Sequence, residues 1–341
     1  MDLIVATREG LYCPPGRFHI DPWRTVDRAV ITHAHADHAR AGHGAYLAAA
    51  AGEPVLRARL GDIRLQPLDY GQEVVLDGVR VSLHPAGHVL GSAQVRVEYR
   101  GEVWVASGDY KLEADPTCAP FEPVRCHTFI TESTFGLPIY RWQANETLFA
   151  DVNAWWERNR REDRASVLFC YAFGKAQRIL ASVDPSIGPI VAHGAVAALN
   201  DAYRRGGVEL PAAMRMAEIG DKSVLRRALV LAPPSAQGSP WLRRFGNYSD
   251  GFASGWMRVR GNRRRRGVDR GFVLSDHADW PGLQRAIAAS GAERVFVTHG
   301  SVHAMVRWLN ERGLQAQAFA TEYGDEEDVD SGETLLAADD A

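Results

Sequence analysis

The stretch THAHADH, residues 32–38, delivers His33, His35, Asp37 and His38 within six positions. The run before it, RAVIT (28–32), reads as a strand, and the run after it, ARAGHGAYLAAAA, reads as a helix starting near His38. In an extended loop, His33 and His35 can point to one side. Asp37 and His38 then reach a second point from the start of the helix. One loop can thus feed two metal ions. Imidazoles suit Zn²⁺, and the carboxylate suits a second zinc or a harder ion. Three further metal-competent residues stand beside glycine at the ends of expected strands: His88 in PAGHVLGSA, Asp109 in SGDY and His299 in VTHG. Strand ends are where a sheet presents a site. A lone histidine is more often a satisfied structural residue than a ligand. So many ligand-type residues at this spacing are hard to reach by chance.

The elements that must position these residues come in two styles. Over the first 135 residues, short β-branched runs alternate with turn signals: EVVL (73–76), VRVSLH (79–84), AQVRVEY (93–99), EVWVAS (102–107) and HTFITE (127–132). After Pro138 the pattern changes. A helix over 144–159 leads to a strand VLFCY (167–171), a helix from Gly174, a strand at PIVAH and a helix ALNDAYRR. From Gly271 the alternation continues as FVLS, WPGLQRAIAAS, RVFVTH, VHAMVRWLNER and LQAQAFA. Strands alternating with helices predict a parallel sheet. The fold class read from this is α/β.

Length and composition fit such a chain. Its 341 residues suit two domains or one large one, and 46% hydrophobic with 24% charged residues is near the globular average. Collagen, coiled-coil and low-complexity classes are excluded. No apolar run is long enough to cross a bilayer, and MDLIVATREGLYC carries no signal-peptide pattern. The four cysteines, Cys13, Cys118, Cys126 and Cys170, show no CxxC spacing and read as buried hydrophobes in a reducing cytoplasm. The net charge of −3 conceals an asymmetry. Residues 321–341 hold nine acids and no Lys or Arg, so the rest of the chain carries +6. That tail reads as solvated and disordered. The stretch Trp256 to Arg270, WMRVRGNRRRRGVDR, holds seven arginines. A run of like charge is repulsive without a partner, which points to a polyanion. Arg263, Arg264, Arg265 and Arg266 would track its phosphates, and Trp256 could stack a base. The plainer reading is a solvated charged loop.

HxHxDH with a later GH, GD and HG resembles the metallo-β-lactamase superfamily, an αββα sandwich with a two-metal site at one edge. The resemblance implies that His33, His35 and His88 hold one zinc. Asp37, His38 and His299 would hold the other, with Asp109 bridging both. Two Zn²⁺ per chain are expected, with Mn²⁺ an alternative at one site. Asp21, in FHIDPW, matches the early aspartate that orients a ligand loop in that superfamily. Glyoxalase-type thioesterases and lactamases share HxHxDH, so the motif alone selects no substrate. TESTFG (131–136), LSDHADW (274–280) and VTHG (297–300) resemble the motifs of the β-CASP nucleases, with Glu132, His277 and His299 in the matching places. CYAFGKAQRIL (170–180) and FASGWM (252–257) are similar to a strand-turn-helix and a Ser/Gly turn of that family. The implied organisation is a metallo-β-lactamase domain over 1–140 and 271–320, an inserted α/β β-CASP domain over 141–270, and the acidic tail 321–341.

GLYCPPGRFHIDPWRTVDRAVITHAHADHAR and WMRVRGNRRRRGVDRGFVLSDHADW look like the bacterial DNA-ligase-associated exonucleases. That group is encoded beside an ATP-dependent DNA ligase and a helicase, which makes these and DNA the implied partners, with no membrane. The implied reaction is metal-dependent trimming of a DNA end in repair, on a single strand and 5′ to 3′. Asp37 and Asp109 would hold and orient the attacking water. His277, with Glu132 fixing its tautomer, would be the general acid for the leaving 3′-oxygen, or else bind phosphate. Lys175, one of only three lysines, follows a glycine at an expected helix start and could meet a phosphate, as could the turn at Ser254 and Gly255 and, less directly, Ser301. The alternatives are an RNA-processing β-CASP nuclease, a small-molecule thioesterase or lactamase-type hydrolase, and a silent scaffold.

Overall fold

In the computed structural model, residues 2–323 are described; most of the acidic tail, from residue 324 on, lies outside them. The described chain divides into two compact units. One holds the residues up to Arg141 and those from His277 onward, and the other holds Trp142–Asp276.

The first unit begins with six strands: β1 (Val5–Ala6), β2 (Leu11–Cys13), β3 (Phe18–Ile20), β4 (Arg28–Ile31), β5 (Ala45–Ala49) and β6 (Leu65–Leu68). They form a sheet in sequence order, antiparallel from β1 to β3 and parallel from β3 to β6. Helix α1 (Glu53–Leu60), with Pro54 in its first turn, connects β5 to β6. Here the expected helix after His38 gives way to a strand. Residues 38–44 are irregular, and Ala45–Ala49 pairs with both β4 and β6. Helix propensity in AYLAAAA loses to two parallel neighbours that bury Leu47 and Ala49. Gly44 lets the chain pass Asp27 at a distance where a Cβ would sit 2.8 Å from its carbonyl oxygen.

Strands β7 (Glu73–Leu76), β8 (Val79–Pro85), β9 (Ala93–Tyr99), β10 (Glu102–Ala106) and β11 (Thr128–Ser133) start the second sheet of this unit. Period-2 alternation sorts their side chains onto two faces. Val95, Val97, Trp104, Ala106 and Ile130 join Val30 and Leu47 of the first sheet in one core. Val105 and Phe129 point the other way, into a second core. The two sheets therefore face one another across a shared apolar layer.

The chain then builds the second unit from α2 (Asn145–Arg161), β12 (Ala165–Phe169), α3 (Lys175–Ser182), β13 (Ile190–Ala192), α4 (Gly194–Arg205), β14 (Met214–Arg215), β15 (Leu229–Ala232), β16 (Tyr248–Ala253), α5 (Arg260–Arg266) and β17 (Arg270–Phe272). The sheet is wholly parallel, in the order β14-β13-β15-β12-β16-β17. All five residues of β12 are buried, as a strand covered on both faces requires. Trp155 and Trp156 of α2 are also buried, and their indole N–H groups donate to Ser249 Oγ and the Arg227 carbonyl.

Returning to the first unit, α6 (Trp280–Ser290), β18 (Arg294–Gly300), α7 (Val302–Asn310) and β19 (Gln315–Ala318) complete it. The second sheet thus runs β19-β18-β11-β10-β9-β8-β7, parallel from β19 to β10. Leu283 and Ile287 of α6 and Met305 and Leu309 of α7 cover its outer core with Val105, Phe129 and Val297. No helix among the described residues is long and apolar enough to cross a membrane.

Candidate metal centre

At the end of β4 the chain turns so that His38 N and Ala39 N both donate to the His35 carbonyl. The turn throws His33, His35 and His38 inward, and all three are buried. Asp21, just after β3, holds this turn. Its carboxylate accepts from Thr32 N at 2.7 Å, from Thr32 Oγ1 at 2.5 Å, and lies 2.7 Å from His38 Nδ1. Asp21 adopts φ +43, a backbone state rare outside glycine. Three bonds to one side chain over-determine it there.

The other ligand-type residues arrive from the second sheet. Asp109 follows β10, His88 follows β8, Glu132 lies in β11 and His299 near the end of β18. His33, His35, His88 and Asp109 bring one ligand atom each to within 4.8 Å of one another. The carboxylate of Asp109 stands in the middle. Its Oδ2 lies 3.5 Å from His33 Nε2, 3.4 Å from His38 Nε2 and 3.8 Å from His88 Nε2. Its Oδ1 lies 3.4 Å from His299 Nε2, and Asp37 Oδ2 lies 3.4 Å from His38 Nε2.

These separations bear on what the cluster could hold. They are long for hydrogen bonds. Ligands at ~2.0–2.2 Å around a tetrahedral ion stand roughly 3.3 Å apart. His33 Nε2, His38 Nε2, Asp37 Oδ1 and Asp109 Oδ1 are buried and make no hydrogen bond among the described residues. Orphaned buried polar atoms are costly unless something satisfies them together. His33, His35, His88 and Asp109 fit a divalent cation, and Asp37, His38 and His299 stand on the other side of Asp109.

Electrostatics agree with that fit at His33 and Asp109, while His38 is governed by the carboxylates around it. Burial pushes His33 well below the ordinary imidazole value of 6.5, and charge on His38 adds to the effect. A neutral ring is what a ligand must be. Burial alone would lower His38, but Asp37, Asp109 and Asp21 outweigh it and hold it well above. Asp109 resists burial because His38 and His277 face it, and its carboxyl stays well below the usual range.

Beside this cluster sits a second pair. Glu132 Oε2 lies 2.9 Å from His277 Nδ1 and accepts from Thr134 Oγ1 at 2.5 Å. Its Oε1 accepts from Tyr110 N at 2.8 Å. Glu132 is 1% exposed, so its carboxylate is fixed at both oxygens. Asp109, Glu132 and His277 also bring ligand-type atoms within 4.8 Å of one another, and the His277 and His88 rings stand 4.7 Å apart.

Ser301 is the N-cap residue of α7 in the first unit, and the other remaining sequence candidates lie in the second. Lys175 was expected at a helix start, and it opens α3, but it is 2% exposed. Its Nζ lies 3.6 Å from Asp276 Oδ2 and over the Tyr171 ring at 4.4 Å. Arg178, one turn on, bonds the Ser275 carbonyl at 2.6 Å and Asp276 Oδ1 at 3.3 Å. This buried cluster holds the residue immediately before His277, and the sequence reading did not single out Arg178 or Asp276. Ser254 is buried, and its hydroxyl accepts from Trp256 N at 3.2 Å; Gly255 beside it is buried as well. Trp256, expected to stack a base, is half-buried against the core of its own unit, which leaves less of the ring for a ligand. Arg263, Arg264 and Arg265 are exposed on α5, and Arg266 lies over Phe252.

Tyr323 was also missed. Its ring stacks on His38 at 4.5 Å and meets His299 edge-on at 5.7 Å. It is one aromatic in an acidic segment, so no spacing rule could have marked it.

Comparison with known proteins comes at two levels. The chain is 32% identical over 336 residues, 97% of its length, to a protein of Opitutus terrae described as a probable DNA ligase. It spans about a third of that relative (32%). Over 125 residues, 36% of the chain, it is 29% identical to cleavage and polyadenylation specificity factor subunit 3 of Dictyostelium discoideum and 30% identical to an endoribonuclease of Saccharomyces cerevisiae. It spans 16% of each of those two. No family model matches. Among solved structures, a protein of unknown function from Enterococcus faecalis superposes with a TM-score of 0.57 at 14% identity, over 87% of this chain and 80% of the other. That likeness shows a shared fold.

Proposed function

We propose that this chain is a metal-dependent phosphodiesterase of the metallo-β-lactamase and β-CASP kind, acting on DNA ends. The observation that carries the reading is the Glu132–His277 pair set against Asp109. A thioesterase expels a thiolate, a good leaving group, and has little use for a second, rigidly held carboxylate–imidazole pair. An alkoxide leaving from phosphorus needs a proton. The match to the Dictyostelium and yeast proteins supports a nuclease, and the near-full-length match to a protein described as a DNA ligase supports DNA.

Two divalent cations, held by His33, His35 and His88 and by Asp37, His38 and His299 with Asp109 between, would supply acidified water and neutralise phosphate charge. The chain's own residues do the rest. Asp109 and Asp37 orient the attacking water through their carboxylate oxygens. Asp21 fixes the His38 ring through Nδ1, which leaves Nε2 directed at Asp37 and Asp109. Glu132 accepts a hydrogen bond from Nδ1–H of His277, so the protonated ring would donate from Nε2 to the leaving 3′-oxygen and be left neutral with its proton on Nδ1. The αββα architecture of the first unit, and a β-CASP role for the second, belong to the same proposal. So do zinc as the native metal, Lys175, Ser254 and Gly255 as phosphate contacts, and the single-stranded, 5′ to 3′ preference in repair beside a ligase and helicase. The exposed Arg263–Arg265 of α5 would follow the nucleic-acid backbone without reading sequence.

The endoribonuclease relatives favour one second reading, RNA processing at the same centre. A time course on matched single-stranded DNA and RNA, with Asp37→Ala as control, separates the two. Shortening of DNA from its 5′ end, absent in the control, is the expected result. Preferential cleavage of RNA would move the assignment to RNA, and cleavage of neither by the metal-loaded protein would overturn the proposal.

A further inference from the structure

Beyond β19, residues 319–323 stay close to the site. Phe319 N donates to the Val297 carbonyl at 2.8 Å, and the Phe319 ring packs on Phe296 at 4.7 Å. Thr321 Oγ1 donates to the Thr298 carbonyl, one residue before His299, at 3.3 Å. Glu322 is tied to Arg24 at 2.9 Å, and the Arg24 Nε in turn donates to the Arg8 carbonyl at 2.9 Å. These ties run along the segment and deliver Tyr323 into a slot between three rings. His38 lies flat against it, with 18° between the planes, and His299 and Trp23 stand edge-on at 80° and 82°. Beneath it remains a cavity of about 10 Å³ whose walls include Asp21, Thr32, His38 and His299.

The selectivity of these contacts matters. Its two histidine partners are the two imidazoles on the Asp37 side of Asp109, and no ring stacking with His33, His35 or His88 is found among the described residues. His38 is bonded to Asp21 through Nδ1 and aims Nε2 at Asp37 and Asp109. Its edge is therefore fixed by a carboxylate and its face by a phenol ring. The His33 ring, 4.2 Å away and tilted by 41°, also meets His38 but does not lie flat on it. A stacked neighbour holds the plane of the ring.

We infer that Tyr323 is a positioning residue for the second of the two metal positions: it locks the planes of His38 and His299, so that metal affinity there depends on the chain beyond β19. The inference rests on the two-metal reading above. Loss of an outer partner of a metal-bound histidine typically weakens metal affinity about 10–100-fold. The effect should fall on one position and spare the other.

The test uses the full chain. Zinc stoichiometry and affinity are read by chelator competition, and the geometry of the second position by the visible spectrum of the Co²⁺-substituted protein. Wild type, Tyr323→Ala and Tyr323→Phe are compared, with thermal melting of each metal-free protein as the check on folding. Tyr323→Ala should lose affinity for the second equivalent about tenfold or more, keep the first, and change the Co²⁺ spectrum of the second. Tyr323→Phe, which keeps the ring, should restore both readouts. Equal weakening of both equivalents, an unchanged second equivalent, or failure of Tyr323→Phe to rescue would overturn the inference. If wild type binds fewer than two ions, the two-metal reading itself fails, which is a different result.

Discussion

The Asp109 carboxylate is ringed by the Nε2 atoms of His33, His38, His88 and His299 at 3.4–3.8 Å, and His277 presses on it from the Glu132 side. In the proposed reaction two tasks would meet at that residue: bridging cations and standing next to the proton donor. They are separable by mutation. His277→Ala removes no residue of either proposed cation set, so it should keep two bound metal ions. It should lower the rate on DNA by roughly 10²–10⁴-fold, the usual worth of a general acid. On an aryl phosphodiester, whose leaving group needs no proton, the same variant should lose far less. Equal losses on both substrates would show that His277 binds phosphate rather than donating a proton. The residues around Asp109 were visible in the sequence because ligand types at short spacing, or beside glycine at strand ends, have few structural uses. Tyr323, Arg178 and Asp276 were not visible. Each acts through a partner far away in sequence, and nothing local marks it.

At the scale of elements, the site depends on strand ends that come unusually close. Gly300 ends β18 with φ +81, and a Cβ there would stand 2.3 Å from the Ser133 carbonyl oxygen. The neighbouring His299 carbonyl accepts from Ser133 Oγ at 2.6 Å, so β11 and β18 register His299 jointly. Gly300→Ala should cost about 1–3 kcal/mol from the left-handed backbone alone, and more from the clash. Gly61→Ala, at φ +73 with nothing within 4 Å of the added carbon, should pay only the backbone part. Denaturant unfolding of both measures the difference, and equal costs would mean that the β11–β18 approach is not tight. Most strands and helices were legible from period and punctuation. Strand β5 was not, because its alanines favour a helix locally and only the flanking parallel strands make them a strand. That override belongs to tertiary pairing, which a single sequence does not display.

Across the whole molecule, charge is distributed in a way that net charge hides. The second unit carries exposed arginines on α5, while acids concentrate after residue 320. If α5 tracks a single strand, replacing Arg263, Arg264 and Arg265 by alanine should flatten the salt dependence of binding. The slope of log K against log salt should fall by about 2, at roughly 0.7 for each phosphate contact. An unchanged slope would return α5 to the status of a solvated helix. The parallel sheet of the second unit could be read from alternating strands and helices. The sequence did not display the facing sheets of the first unit, which the resemblance alone implied, since pairing across a core leaves only alternation in each strand.

If this cluster works as a two-metal centre for phosphodiester hydrolysis, metal binding and cleavage must rise together. Metal-free protein is titrated with zinc or manganese, and cleavage of end-labelled single-stranded DNA is read at each point. Two equivalents should bind, cleavage should rise with the second, and Asp109→Ala should cleave at no point. DNA cleavage by the metal-free protein, or full cleavage by Asp109→Ala, would contradict the two-metal reading.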